Sequence, residues 1–168
     1  KLTEGDTVEF GEATARVLDV PGHTLGHIAY HFADQNVAFV GDALFALGCG
    51  RVFEGTMDMM WASLSKLKAL PPETLVYCAH EYTQANAKFA LHADPDNAEL
   101  RLYAARIDEK RAKGEPTVPT VLSRELATNP FLRAAEPALR QACERHFGER
   151  PDTPVAGFAA LRRWKDSA

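Results

Sequence analysis

The chain has 168 residues, 46% hydrophobic and 25% charged, with a formal net charge of −4. That composition predicts a soluble globular protein, either one ordinary domain or two small ones that pack together. It carries no basic stripe, no bilayer-length apolar run and no signal segment, so neither nucleic acid nor a membrane is an expected partner.

Three cysteines, Cys49, Cys78 and Cys143, stand at unrelated spacings. An odd, scattered set is not a disulfide framework and fits a reducing compartment, so the expected location is the cytoplasm. Position 1 is Lys and opens a strand-like stretch at once, which predicts a processed or fragmentary N-terminus.

In chain order, Thr7–Phe10, a turn at Gly11 and Ala13–Val20 read as a hairpin. Ile28–Phe32 and Val37–Val40 form a second one, joined by Ala33-Asp34-Gln35-Asn36. Met57–Leu70 places Met57, Met60, Trp61, Leu64, Leu67 and Leu70 at helical spacing, and Pro71-Pro72 ends it. One apolar helix face of this kind predicts burial against a sheet. Leu75–Cys78 reads as a buried strand.

Beyond it the texture changes. Ala85–His92, Ala98–Lys113, Pro137–Phe147 and Val155–Lys165 read as helices, with Asp94-Pro95-Asp96-Asn97 as a break and cap. Pro116 and Pro119 make the intervening stretch a rigid connector. The expected organisation is a strand-rich unit over residues 1–83 and a helical unit over 84–168.

Three segments carry chemistry. Pro21-Gly22-His23-Thr24-Leu25-Gly26-His27 sets two histidines among glycines at a turn between strands. Phe39-Val40-Gly41-Asp42 ends an apolar strand on a carboxylate, and Val76-Tyr77-Cys78-Ala79-His80 ends another on an imidazole. Imidazole and carboxylate together suit zinc, iron or manganese. On spacing alone, metal ligation and ordinary half-buried side chains remain equally open for His23, Asp42 and His80. His31, His92 and His146, within a strand or helices, read as structural, and Cys49 as a tight-turn residue.

The segments Pro21–His27, Gly41-Asp42-Ala43-Leu44-Phe45 and Cys78-Ala79-His80-Glu81-Tyr82-Thr83 closely resemble the later metal motifs of glyoxalase II, the hydroxyacylglutathione hydrolases of the metallo-β-lactamase superfamily. The likeness continues through Gly48–Thr56 and Ala127–Arg133 to Arg162-Arg163-Trp164-Lys165-Asp166. It implies an α+β fold: the C-terminal half of a metallo-β-lactamase αββα sandwich, followed by an all-helical, glutathione-binding domain.

It further implies that His23 and His80 are ligands of separate ions in a divalent metal pair, zinc before iron or manganese. Asp42 is then the catalytic bridging carboxylate and His27 a supporting histidine. The implied reaction is hydrolysis of S-D-lactoylglutathione to D-lactate and glutathione by a metal-bridging hydroxide. Arg51, Phe53, Tyr82, Arg162 and Lys165 match glutathione-binding positions. Phe53 stands where many members carry tyrosine, and losing that hydroxyl contact is worth roughly 0.5–1.5 kcal/mol.

The family's first metal motif, Thr-His-x-His-x-Asp-His, is absent. The expectation is therefore an incomplete site, nearly inactive alone, with the missing N-terminal half as a candidate partner. Two further assignments compete: a persulfide dioxygenase relative, disfavoured by the basic C-terminal helix, and a non-catalytic glutathione- or partner-binding remnant.

Overall fold

The computed structural model describes residues 1–168. Its strands are β1 (Thr7–Phe10), β2 (Ala13–Asp19), β3 (Ile28–Phe32), β4 (Val37–Gly41), β5 (Leu44–Phe45), β6 (Gly48–Cys49), β7 (Leu75–Cys78) and β8 (Thr120–Val121). The helices are α1 (Met57–Lys68), α2 (Thr83–Ala93), α3 (Ala98–Ala112), α4 (Leu122–Thr128), α5 (Pro137–Phe147) and α6 (Pro154–Ser167).

One sheet has the order β1-β2-β3-β4-β7-β8, and β5 with β6 forms a separate small hairpin. Neighbours in the large sheet are antiparallel except β4 and β7, which run parallel because α1 carries the chain back between them. Alternation along β4 fixes the faces: Ala38 and Val40 are buried, while Phe39 between them is 46% exposed. The inward face (Leu18, Ala29, Ala38, Val40, Val76) joins Met60, Leu64 and Leu67 of α1, and Phe158, Leu161 and Trp164 of α6, in one core. On the opposite face Tyr30, Phe39 and Tyr77 stand in register. Phe39 stacks on Tyr77 at 5.0 Å and meets Phe32 edge-on at 5.9 Å. A sheet with helices on one face and an open aromatic face on the other is half of a sandwich.

Helix starts follow local chemistry. The side chains of Thr56, Asn97 and Thr153 each accept the backbone N–H three residues on, capping α1, α3 and α6. Helix α1 stops at Lys68, with Ala69 as its C-cap, short of the expected Leu70. Helix α2 begins at Thr83 and α6 extends to Ser167, each longer than the sequence pattern indicates. Strand β7 is buried only on its inner face: Val76 is covered, whereas Leu75 is 39% exposed because it points to the open side.

Strands β5, β6 and β8 and helix α4 escape a reading based on periodicity, being too short to display a period. Strand β8 matters because it adds residues 120–121, from the helical half, to the edge of the sheet beside β7. A second buried cluster joins Leu47 to Ala87 and Ala90 of α2 and to Leu100, Tyr103, Ala104 and Ile107 of α3.

Candidate functional site

Strands β4 and β7 are parallel neighbours, with Gly41 opposite Cys78. Whatever follows their C-terminal ends must therefore lie side by side, which is where open sheets present ligand-binding groups. Asp42 and His80 occupy those positions, with His80 Nε2 3.2 Å from Asp42 Oδ1. The backbone N–H of Ala79 donates to Gly41 O at 3.0 Å and locks the two strand ends together.

His23 arrives from the loop after β2. Ser63 of α1 donates to Pro21 O at 2.7 Å, and Gly55 N to Gly22 O at 3.1 Å, tying that loop down. His23 Nδ1 donates to Arg51 O at 2.8 Å, which fixes the tautomer and leaves Nε2 with its lone pair free. His27 Nε2 accepts the Asp42 backbone N–H at 3.0 Å, so the supporting histidine holds the chain that presents the carboxylate. Gly41 makes this approach feasible: its φ is +54°, and a Cβ there would lie 2.6 Å from His27 Nε2. Gly50 plays a similar part, since a Cβ on it would collide with the Asp42 carbonyl.

These groups open into a cavity of about 550 Å³. Every residue singled out in the sequence for ligation or substrate binding lines it: His23, Asp42, His80, Arg51, Phe53, Tyr82, Arg162 and Lys165. Tyr82 stacks on His80 at 4.8 Å, and Phe53 lies 5.1 Å from His23. Arg51 is well exposed and pairs with Asp166 at 3.4 Å.

Arg162 and Lys165 face the cavity from α6 with different degrees of freedom. Arg162 is only 2% exposed; its guanidinium donates to Cys49 O at 3.0 Å and to Asp166 Oδ1 at 2.8 Å. Its Nε is buried without a partner. Lys165 donates to Asn86 Oδ1. Burial, reinforced by the Arg162 charge, pulls the Lys165 ammonium down to about 8. Burial also pushes the Cys49 thiol up, so it is no thiolate at neutral pH. His92 and His146 pack around Trp164, and His31 lies half-buried in β3, as their positions in regular elements suggest.

His23, Asp42 and His80 suit a divalent metal in donor type, and His23 has the backbone-anchored tautomer typical of a ligand. They do not complete a site: no group of three His, Cys, Asp or Glu residues converges on one point. Asn86, Glu125 and Asn129 also shape the cavity wall, through the β5–β6 hairpin, and sequence reasoning did not single them out. Asn129 lies inside the resembling segment Ala127–Arg133, but Glu125 carries no local signal.

Residues 1–80 match the metallo-β-lactamase superfamily, and residues 81–168 match the family described as hydroxyacylglutathione hydrolase C-terminus. Hydroxyacylglutathione hydrolase from Hyphomonas neptunium is 60% identical over 99% of this chain and 63% of its own length. The protein of the same name from Erythrobacter litoralis is 60% identical over 97% and 62%. The chain thus spans somewhat under two thirds of the curated relatives it matches. Among solved structures, ETHE1 from Myxococcus xanthus superposes with a TM-score of 0.56 at 27% identity, over 98% of this chain and 60% of that one. The B3 metallo-β-lactamase BLEG-1 gives 0.53 at 25% identity, over 78% and 47%. On this match and this architecture, the chain belongs to the hydroxyacylglutathione hydrolase C-terminus family, joined to a part of the metallo-β-lactamase superfamily fold.

Proposed function

We propose that the chain is the substrate-binding and partial metal-binding portion of a thioester hydrolase that cleaves S-D-lactoylglutathione and related S-2-hydroxyacylglutathiones to the hydroxy acid and glutathione. The observation that carries this reading is the shared cavity: the imidazole–carboxylate donors His23, Asp42 and His80 and the cationic side chains Arg51 and Lys165 line one and the same cavity. A glutathione thioester carries the complementary groups, a reactive carbonyl and carboxylates.

His23, Asp42 and His80 would hold part of a divalent metal pair, with Asp42 as the ligand common to both ions and zinc, iron or manganese compatible with the donors. Such ions supply Lewis acidity and bring the pKa of water to about 7, so an attacking water is available at neutral pH. This chain's residues do the rest. Lys165, protonated below about pH 8, and the free donors of Arg51 draw in the glutathione carboxylates. The ring of Tyr82, stacked on His80, and the ring of Phe53, beside His23, offer flat faces against which the thioester is oriented. Cys49 does not act as a nucleophile, because its thiol is buried and neutral.

We assign residues 1–83 to the metal-binding unit and 84–168 to the glutathione-binding unit, and we place the protein in the cytoplasm on its three free cysteines. No helix is long and apolar enough to cross a membrane. The remaining ligands are taken to come from a polypeptide segment outside this chain, because the three donors here do not close around one ion.

The test is metal analysis and thioester hydrolysis, first on the purified chain and then on the chain joined to the segment encoded upstream. The expected result is weak metal retention and negligible turnover alone, with D-lactate release restored by the upstream segment. Two tightly held metals and full turnover by this chain alone would refute the incomplete-site reading. A joined protein that binds metal yet leaves lactoylglutathione intact would refute the activity.

A further inference from the structure

The hairpin β5–β6 is short, but both of its ends belong to the site. Asp42 precedes β5, and Cys49-Gly50-Arg51 follows or ends β6, with Gly50 N donating to Ala43 O at 3.2 Å. Two strands of two residues each cannot hold themselves together. Leu47, in the turn, is fully buried with φ +57°, a left-handed conformation that a leucine adopts only where its surroundings impose it.

The surroundings are side chains from the helical half. Glu125, wholly buried in α4, accepts the Leu47 N–H at 2.8 Å, the Thr120 hydroxyl at 2.7 Å and Asn129 Nδ2 at 3.0 Å. Asn129 Nδ2 also donates to Phe45 O at 3.2 Å and Gly48 O at 3.1 Å, and Asn86 Nδ2 donates to Ala46 O at 2.9 Å. The Leu47 amide and the Phe45, Ala46 and Gly48 carbonyls are thus met by Asn86 of α2, Glu125 of α4 and Asn129 at the α4 C-cap.

We infer that Glu125 is a positioning residue of the candidate metal centre, acting through the β5–β6 hairpin to place Arg51 O where it fixes the His23 tautomer. The route is continuous: Glu125 holds Leu47 N, the hairpin holds Cys49 and Gly50, and Arg51 O accepts the hydrogen bond of His23 Nδ1–H. Releasing Glu125 frees a strained turn, and the carbonyl two residues beyond β6 loses its fixed place. The hydrogen bonds need a carbonyl-type acceptor, not a charge. An amide at this position could turn its oxygen toward Leu47 N and Asn129 while donating to the Thr120 hydroxyl. Burial, which pushes the Glu125 carboxyl up, agrees with a role that needs no ionisation. The importance of this role for catalysis rests on the hydrolase reading above, but the test below uses neither metal nor substrate and so succeeds or fails independently of it.

The experiment compares the full chain with Glu125→Ala and Glu125→Gln by ¹⁵N NMR of the imidazoles in alkaline buffer, where histidines are neutral. A protonated ring nitrogen resonates well apart from a bare one, so the tautomer is read directly, with His23→Gln assigning the signal. The expected result is the Nδ1–H form of His23 in the parent and in Glu125→Gln, and loss of that preference in a folded Glu125→Ala. A folded Glu125→Ala that keeps the Nδ1–H form overturns the inference, and so does a Glu125→Gln that loses it. Should Glu125→Ala not fold, amide exchange in the parent decides. The Leu47 and Gly50 amides are expected to open as one unit, with opening rates within about threefold, and a larger difference overturns it.

Discussion

Replacing Gly41 by alanine tests how the carboxylate end of β4 is held. Gly41 has φ +54°, and an added Cβ would come within 2.6 Å of His27 Nε2 and 2.9 Å of its Cε1. A left-handed alanine costs about 1–2 kcal/mol. Displacing His27 also breaks its bond from the Asp42 amide, which is worth about 0.5–1.5 kcal/mol. The two effects act at one place and together predict a loss of about 2–3 kcal/mol. Urea unfolding followed by circular dichroism is the assay, and for a slope near 2 kcal/mol per molar the midpoint falls by about 1 M. Gly26→Ala is the matched control, because no atom lies within 4 Å of a Cβ there and its φ is not positive; it is expected to shift stability by less than about 0.5 kcal/mol. Equal midpoints for the two variants would refute the reasoning, since it attributes the whole effect to the positive φ and the His27 contact.

Phe158→Ala empties a fully buried position between Trp61 and Phe131 and is expected to cost about 3–5 kcal/mol in thermal or urea unfolding. Asn97→Ala removes the α3 cap, which accepts Leu100 N at 3.0 Å, and also the side-chain bond to Ala127 O at 3.0 Å; a drop of about 1–2 kcal/mol in calorimetry is expected. Lys165 has a folded-state value of about 8, below its ordinary 10.5, so the unfolded chain binds more protons between those limits and stability rises with pH through that window. The rise is read as the difference in urea midpoint between the parent and Lys165→Met, and an equal slope in both would contradict it. Binding of S-hexylglutathione, followed by calorimetry, is expected to weaken above about pH 8 in the parent, as Lys165 loses its charge, and to show no such step in Lys165→Met.

What the sequence disclosed and what it concealed follow from the range of the interactions. Hairpins β1–β2 and β3–β4 and helices α1, α3 and α5 are written in local alternation, caps and prolines, and a reading of neighbours suffices for them. The ligand candidates were legible for a related reason: His23, Asp42 and His80 each follow a strand, and strand ends are visible in the pattern. The juxtaposition of Asp42 and His80 was not, because it depends on β4 and β7 being parallel neighbours, a pairing of residues almost forty positions apart. The degree of burial of Arg162 was equally hidden: three residues from Lys165 on one helix, it is fastened to Cys49 O, 113 positions away. Glu125 was the least accessible of all, since nothing in Leu122–Thr128 reveals that its carboxylate supports a turn at Leu47. Long-range polar satisfaction leaves no periodic trace.

The sheet order has a consequence for synthesis. Chains emerge N-terminus first, and β1 to β4 can pair as soon as they appear, since each meets its sequence neighbour. Helix α1 brings Met60, Leu64 and Leu67 to the inner face of that early sheet soon after, but the rest of the face remains uncovered for much longer. Its edge strand β8 comes at residues 120–121, and Phe158, Leu161 and Trp164 lie on α6. The core therefore closes only once α6 is in place, and a chain stopped short of α6 would present part of its apolar interior to the chaperones and proteases that meet it at the ribosome.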